Sequence, residues 1–236
     1  TGWFTEDFTW DELSTLRSRE RLPEVRLSSA SFNGSQAILR LTDVLDIVRE
    51  GSAEHGREIG VVLEVKHATY FASIGLDLAP LIERDLRASG WASGELPLIV
   101  ESFESTILLR LREHGIRAEY IYLLEASGRP FDLRSVQGSS APTYRSIATP
   151  DGLDELVGLV DGISVSKRMI VAPDARGRGT GPTDLVEDAH ARDLCVFTWT
   201  CRPENQFLAA PFRVGRSGSA WGNWQQEWGM LAELGL

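Results

Sequence analysis

Five short apolar runs recur along this chain, each followed by amphipathic sequence of helical length, and this alternation restricts the fold more than any other feature. The runs are VVLEVK (61–66), LPLIVESF (96–103), AEYIYLLE (118–125), DGISVSK (161–167) and CVFTWT (195–200). Strands that alternate with helices pair in parallel, because the helix must carry the chain back across the sheet before the next strand begins. The expected fold class is therefore α/β with a parallel sheet.

The intervening stretches carry helix signals. TDVLDIVRE places Val44, Leu45, Ile47 and Val48 on one stripe with Thr42 as N-cap. LDLAPLIERDLRASG is expected to stop at Gly90 and STILLRLREHG at Gly115, glycine being the residue that best tolerates the left-handed turn ending a helix. Further helices are expected over DGLDELVGLV, over TDLVEDAHARDL and from about residue 220 to 234. Residues 127–146 lack clear periodicity and read as loop. GRGTGPT (177–183) lacks the Gly-Lys-Ser/Thr of a phosphate-binding loop and reads as a turn-forming segment.

No strand ends in Gly-x-Gly-x-x-Gly, so a (β/α) barrel fits better than a doubly wound dinucleotide fold, with residues 1–236 as a single domain. In such a barrel alternate side chains point inward, and those near the C-terminal strand ends open onto the active-site face. Val62, Glu64 and Lys66 share the inward parity of the first run. Two charges at i and i+2 inside an apolar strand need a reason, since burying an isolated charge costs several kcal/mol. They form either an internal ion pair, or a site in which a carboxylate binds a hard cation beside an ammonium that neutralises a phosphate oxygen. Polar or aromatic groups also stand at the other strand ends: Glu101 and Ser102, Glu125, Ser166 and Lys167, and Trp199. An inward Trp199 can pack or can wall an alcohol moiety.

Composition narrows the functional classes. The net charge of −10 disfavours nonspecific binding to nucleic acid or anionic membrane. No apolar run reaches the roughly 18 residues of a membrane helix, so no stable membrane insertion is expected. Cys195 and Cys201 form neither a disulfide framework nor a metal-ligand pattern. Of the four histidines, His55 and His114 sit at helix ends and His190 falls within a helix on the exterior, whereas His67 directly follows the charged strand.

The ordered set VVLEVK, VESFEST with LLRLREHG, DGISVSK and CVFTWTCRPEN resembles the glycerophosphodiester phosphodiesterase family, a group of TIM (β/α)8 barrel hydrolases of the phospholipase C-like type. WFTEDFTWDELSTLR and LRLTDVLDIVRE are similar to that family's segments before its third strand and in its following helix. The resemblance implies metal-dependent hydrolysis of a small glycerophosphodiester to glycerol 3-phosphate and an alcohol, with Ca²⁺ or Mg²⁺ as cofactor. It implies Glu64 as a metal ligand, Lys66 as the catalytic lysine facing the phosphate, and Trp199, Ser102 and Phe103 as substrate-binding residues; Glu101 and Lys167, at strand ends, and His67, directly after the charged strand, are further substrate-binding candidates. Glu101 stands where relatives often have Gln.

The family's His-Arg-Gly, Glu-x-Asp and His-Asp motifs do not occur in the sequence, so the chain is expected to be an internal segment covering about strands three to seven, inactive alone. Many relatives are secreted or periplasmic. The other readings are a barrel of phospholipase D-like or phosphatidylinositol-cleaving type and a noncatalytic ligand-binding barrel.

Overall fold

The computed structural model describes residues 2–173 and 179–236. Seven strands occur among them: β1 (Val61–Glu64), β2 (Leu98–Ser102), β3 (Glu119–Leu124), β4 (Gly162–Ser166), β5 (Val171–Pro173), β6 (Gly179–Pro182) and β7 (Cys195–Trp199). The main sheet has the order β1-β2-β3-β4-β7 and every pairing in it is parallel. Sequential neighbours joined by helices and a steady order from one edge to the other are what the alternation of apolar runs dictates.

Two layers form the core. One face of the sheet buries Val61, Val65, Val100, Tyr120, Tyr122, Leu124, Ile163, Val165 and Val196. Against it pack the helices Ser105–Glu113 and Leu185–His190, whose buried stripes are Ile107, Leu108 and Leu111 in the first and Leu185, Val186 and Ala189 in the second. The opposite parity faces the inside of a curve. Phe103, just past β2, and Trp199, on β7, bring their rings to 5.7 Å between centroids. They are three strand positions apart, about 14 Å in a flat sheet, so the sheet must curl into a half-barrel to join them. The concave face is open along its edge strands, where Val62 is 60% exposed and Phe197 39%, and buried along its central ones, where Ile121, Leu123 and Ser164 lie.

Gly162 shows how tightly adjacent strands close. It pairs with Cys195 in the ladder, and a Cβ at Gly162 would collide with the sulfur and the carbonyl of Cys195. Only glycine permits that approach.

Helix limits follow the expected signals with several corrections. The helix after residue 40 runs Leu41–His55, well beyond TDVLDIVRE, and Thr42 lies inside it: the Arg40 amide donates to Asp43 Oδ2 at 2.9 Å instead, and Gly56 at φ +59° ends it. The helices Leu78–Ala88 and Ser105–Glu113 stop just before Gly90 and Gly115 (φ +78° and +75°), as read from sequence. DGLDELVGLV yields only Pro150–Asp154, capped by Thr149, whose hydroxyl accepts from the Gly152 amide, and the final helix is limited to Trp224–Glu233.

Residues 127–146 are not all loop: they contain the helix Phe131–Gln137 and the start of Tyr144–Ile147, each too short for a periodic signal. Of GRGTGPT, residues 177 and 178 lie outside the described residues. Residues 179–182 form β6, paired antiparallel with β5 in a two-stranded sheet.

The first forty residues carry only short helical turns and exposed apolar side chains, among them Trp3, Leu27 and Phe32. They are tied down at two separated points. Tyr70, after β1, donates its hydroxyl to Glu6 at 2.6 Å, and Arg26 donates to the buried Glu204, after β7, at 3.0 Å.

Candidate active site

A cavity of about 460 Å³ occupies the concave face at the C-terminal ends of the strands. Glu64 and Lys66 reach it from the end of β1, Glu101 and Phe103 from β2, Glu125 from β3, Ser164 from β4, and Trp199 and Thr200 from β7. Five of the eight site residues expected from sequence thus converge: Glu64, Lys66, Glu101, Phe103 and Trp199. All obey the inward parity.

Glu64 and Lys66 form an ion pair, with side chains 28% and 65% exposed. At that exposure the pair adds little stability, at most about 1 kcal/mol. Its two members are therefore free to exchange each other for a ligand at small cost. Glu64 stands opposite Glu101 in the ladder. Burial raises the Glu101 carboxyl above its ordinary value, the Glu64 charge raises it further, and Lys66 opposes both. Two carboxylates and one ammonium share one end of the cavity.

The segment VESFE divides its labour by parity. Glu101 and Phe103 face the cavity. Ser102, fully buried, donates its hydroxyl to the Val65 carbonyl at 2.7 Å and accepts from the Glu104 amide at 3.1 Å. Glu104, also buried, accepts from the Thr69 amide at 2.8 Å and so fixes the chain just after the charged strand. A charge-assisted hydrogen bond of this kind contributes about 1.5–3 kcal/mol. Together these bonds hold the ends of β1 and β2, and with them Lys66, Glu64 and Glu101, in register.

Phe103 and Trp199 form the opposite wall, with the buried Tyr144 packed against Phe103. Trp199 meets Phe103 edge to face, and Phe103 meets Tyr144 the same way at 6.2 Å. Trp199 Nε1 donates to the Ser164 carbonyl at 3.3 Å, and Tyr144 donates its hydroxyl to the Phe103 carbonyl at the same distance. Burial pushes the Tyr144 phenol up to about 12, helped by the negative charges of Asp132, Glu125 and Glu104.

Three expected residues lie outside the cavity. Ser102 spends its hydroxyl on the backbone bonds just described. His67 adopts the left-handed conformation (φ +55°) at the position just before the short helix Ala68–Ser73, without a side-chain capping bond. Lys167 turns away to Glu227, 1% exposed, at 2.5 Å, and donates also to the Phe207 carbonyl at 2.8 Å. Its charge is spent on fastening the segment after β7 to the sheet. Of the residues singled out only as strand-end polar groups, Glu125 does face the cavity, whereas Ser164 lines it in place of Ser166, two residues later at the same parity.

A hard divalent cation takes about six to eight oxygen ligands. Glu64 and Glu101 offer carboxylates on adjacent strands, but among the described residues no group of three or more His, Cys, Asp or Glu is placed to hold an ion. These side chains fit as part of such a shell and do not complete one.

The profile of the glycerophosphoryl diester phosphodiesterase family matches residues 2–234. Glycerophosphodiester phosphodiesterase GDPD6 of Arabidopsis thaliana is 28% identical over 224 residues, covering 90% of this chain and 56% of that protein. A crystal structure from Silicibacter pomeroyi, described as a candidate glycerophosphoryl diester phosphodiesterase, is similar with a TM-score of 0.51 at 18% identity, over 81% of this chain and 57% of its own. Another, of a glycerophosphodiester phosphodiesterase from Parabacteroides distasonis, matches with a TM-score of 0.47 at 16% identity, over 82% and 58%. The chain thus spans little more than half the length of the relatives it matches.

Proposed function

The chain belongs to the glycerophosphoryl diester phosphodiesterase family, and on that footing we propose that the protein containing it hydrolyses glycerophosphodiesters to glycerol 3-phosphate and an alcohol. The observation that carries this reading is the convergence of Glu64, Lys66, Glu101, Phe103 and Trp199 on one cavity at the strand ends. In this reading the chain supplies about strands three to seven of an eight-stranded barrel.

A phosphodiester monoanion repels nucleophiles, so its hydrolysis requires positive charge placed where negative charge grows on the nonbridging oxygens. Lys66, once released from Glu64, supplies one such charge. Glu64 is assigned as one ligand of a divalent cation, Ca²⁺ or Mg²⁺, which when bound would supply further charge neutralisation; oxygen donors select these ions over zinc. Glu101 extends the carboxylate end of the site beside it. Phe103 and Trp199 give the organic part of the substrate a flat apolar wall and exclude water from one side of it. Ser102 and Glu104 support the reaction indirectly, by fixing the strand ends from which Lys66 and Glu101 project.

The direct test is incubation of the purified full-length protein with glycerophosphocholine, glycerophosphoethanolamine and glycerophosphoglycerol, with enzymatic assay of glycerol 3-phosphate. Release from at least one of them, lost on chelation and restored by Ca²⁺ or Mg²⁺, is the expected result. Faster cleavage of phospholipid in vesicles than of any soluble diester would instead make it a phospholipase-type barrel. Binding of diesters without turnover would make it a ligand-binding barrel.

A further inference from the structure

The chain carries a net charge of −10, yet the segment after β7 runs against that balance: from residue 205 to 226 it holds Arg213 and Arg216 and no acidic residue. The carboxylate just before it, Glu204, is buried and paired with Arg26, so its charge does not oppose them at the surface. Charges farther than about 10 Å are largely screened at 0.1 M salt, which lets this loop act as a local cation on an acidic molecule.

The loop has a fixed frame. The buried Asn205 donates through Nδ2 to the Val214 carbonyl at 2.7 Å and the Ser217 carbonyl at 2.9 Å, and its Oδ1 accepts from the Val214 amide at 2.9 Å. Its amide donates to the Ala220 carbonyl at 2.8 Å, and Trp221 pairs with Glu204 in an antiparallel bridge. Asn205 and its neighbour thus draw both arms of residues 213–221 together. Lys167, after β4, holds the base of the loop through the Phe207 carbonyl. The loop therefore stands at the C-terminal ends of the strands, the end at which the cavity lies.

Val214 and Trp221 are exposed on this loop, Trp221 by 67%. The Trp221 ring is backed by others: Trp224 meets it edge to face at 6.5 Å between centroids, and Trp228 lies 4.6 Å from Trp224. A tryptophan held out to solvent beside an apolar neighbour and two arginines matches an interfacial anchor, in which the ring sits at headgroup level and the guanidiniums meet lipid phosphates. Residues 213–221 fall well short of the roughly 20–30 residues a side that a stable protein interface uses, so a second copy fits the patch less well.

We infer that this loop docks the protein reversibly on an anionic lipid surface, with Trp221 and Val214 entering the headgroup region and Arg213 and Arg216 binding lipid phosphates. The inference does not depend on what the cavity hydrolyses.

The test floats the full-length protein with vesicles of phosphatidylcholine alone and with vesicles of equal parts phosphatidylcholine and phosphatidylglycerol, at low salt and at about 0.5 M NaCl, where screening is severe. Partition to the anionic vesicles about tenfold or more above the neutral ones, lost at high salt, is the expected result for two arginines at a charged surface. One arginine there is worth about fivefold. Arg216→Gln should therefore weaken the partition by that factor, and Trp221→Ser should weaken it as well, each with unchanged Tm. Arg213 already donates to the Leu208 carbonyl at 2.9 Å, so Arg216 is the cleaner position, and it alone decides should Trp221→Ser fail to fold. Absence of binding to anionic vesicles, equal partition to both compositions, or binding untouched by Arg216→Gln overturns the inference. So does self-association in sedimentation velocity that Trp221→Ser abolishes, which would make a second copy the occupant. Docking is measured without turnover, so each of these results leaves the phosphodiesterase reading standing.

Discussion

Glu64 and Glu101 face each other across one rung of the β1–β2 ladder, two carboxylates on the same concave face of a parallel sheet. Adjacent strands lie about 4.8 Å apart, so the pair places like charges near one another in a partly enclosed site. The arrangement costs stability unless a cation sits between or beside them. Lys66 meets that need only in part, since its ammonium is already engaged by Glu64.

The first prediction follows from the raised carboxyl of Glu101. A carboxyl whose folded-state pKa exceeds its unfolded value near 4.5 contributes fully below that unfolded value, and its contribution is lost as pH rises through the folded one. At pH 7 its charge therefore weakens the fold. Glu101→Gln should raise the denaturation midpoint at pH 7 and lose most of that advantage at about pH 4, where the Glu101 carboxyl is mostly protonated. Urea titrations at the two pH values check it; a lower midpoint for the variant at pH 7 would show that the Glu101 charge is compensated in the folded protein.

A second prediction concerns Lys167. Its ammonium is held by the buried Glu227 carboxylate, which also accepts from the Ala209 amide at 2.7 Å. Removing one partner strands the other as a buried charge, a loss of about 3–5 kcal/mol. Glu227→Ala should be destabilised by that order in chemical denaturation. Lys167→Met should be destabilised comparably, and the fraction that remains folded should keep its kcat. A variant of normal stability with a selectively raised KM would place Lys167 at the substrate after all.

Gly162→Ala is the third. The added methyl meets the Cys195 sulfur and carbonyl at the β4–β7 contact, and a core strand pair can yield only by shifting backbone. Overpacking of this kind costs about 1–3 kcal/mol. Thermal unfolding of the variant should show a clear drop in Tm, whereas an unchanged Tm would mean that β7 is not held as closely to β4 as this register requires.

The N-terminal forty residues supply a fourth. Arg26 reaches the buried Glu204 carboxylate, whose second oxygen, Oε2, has no hydrogen-bond partner among the described residues. Arg26→Ala should loosen this anchor and leave Glu204 buried without its counter-charge. Limited trypsin digestion should then cut at Arg17, Arg19 or Arg21 several-fold faster than in the parent protein. Equal cleavage rates would show that the segment is held by its other contacts.

Much of this architecture was legible in the sequence because parallel strands announce themselves by apolar runs and helices by their glycine stops. All five main-sheet strands, and the helix stops at Gly90 and Gly115, follow from those local signals. Inward parity places Glu64 and Lys66 at the mouth of the barrel from sequence alone, whereas Glu101 and Ser102, of opposite parity, read alike as strand-end groups. Legibility failed where the determining partner is distant in sequence. Lys167 reads as a strand-end charge, and only the fold brings Glu227, sixty residues on, beneath it. Ser102 reads as a strand-end hydroxyl, yet the Val65 carbonyl that it binds is supplied by the neighbouring strand. Glu125 reads only as one strand-end carboxylate among several, and it is the fold that brings it to the lining of the cavity.

The central claim is that Glu64, by holding a cation, and Lys66, by facing the phosphate, both serve cleavage of the phosphodiester. The measurement that tests it most directly is steady-state hydrolysis of glycerophosphocholine and glycerophosphoglycerol by the full-length protein, its Glu64→Gln variant and its Lys66→Met variant, each checked for an unchanged Tm. Because the pair contributes little to stability, both variants should fold normally, and kcat/KM should fall by about 100-fold or more in each on whichever diester the parent cleaves. Folded variants that retain activity within about threefold of the parent, a difference under ~1 kcal/mol in the barrier, would contradict the assignment.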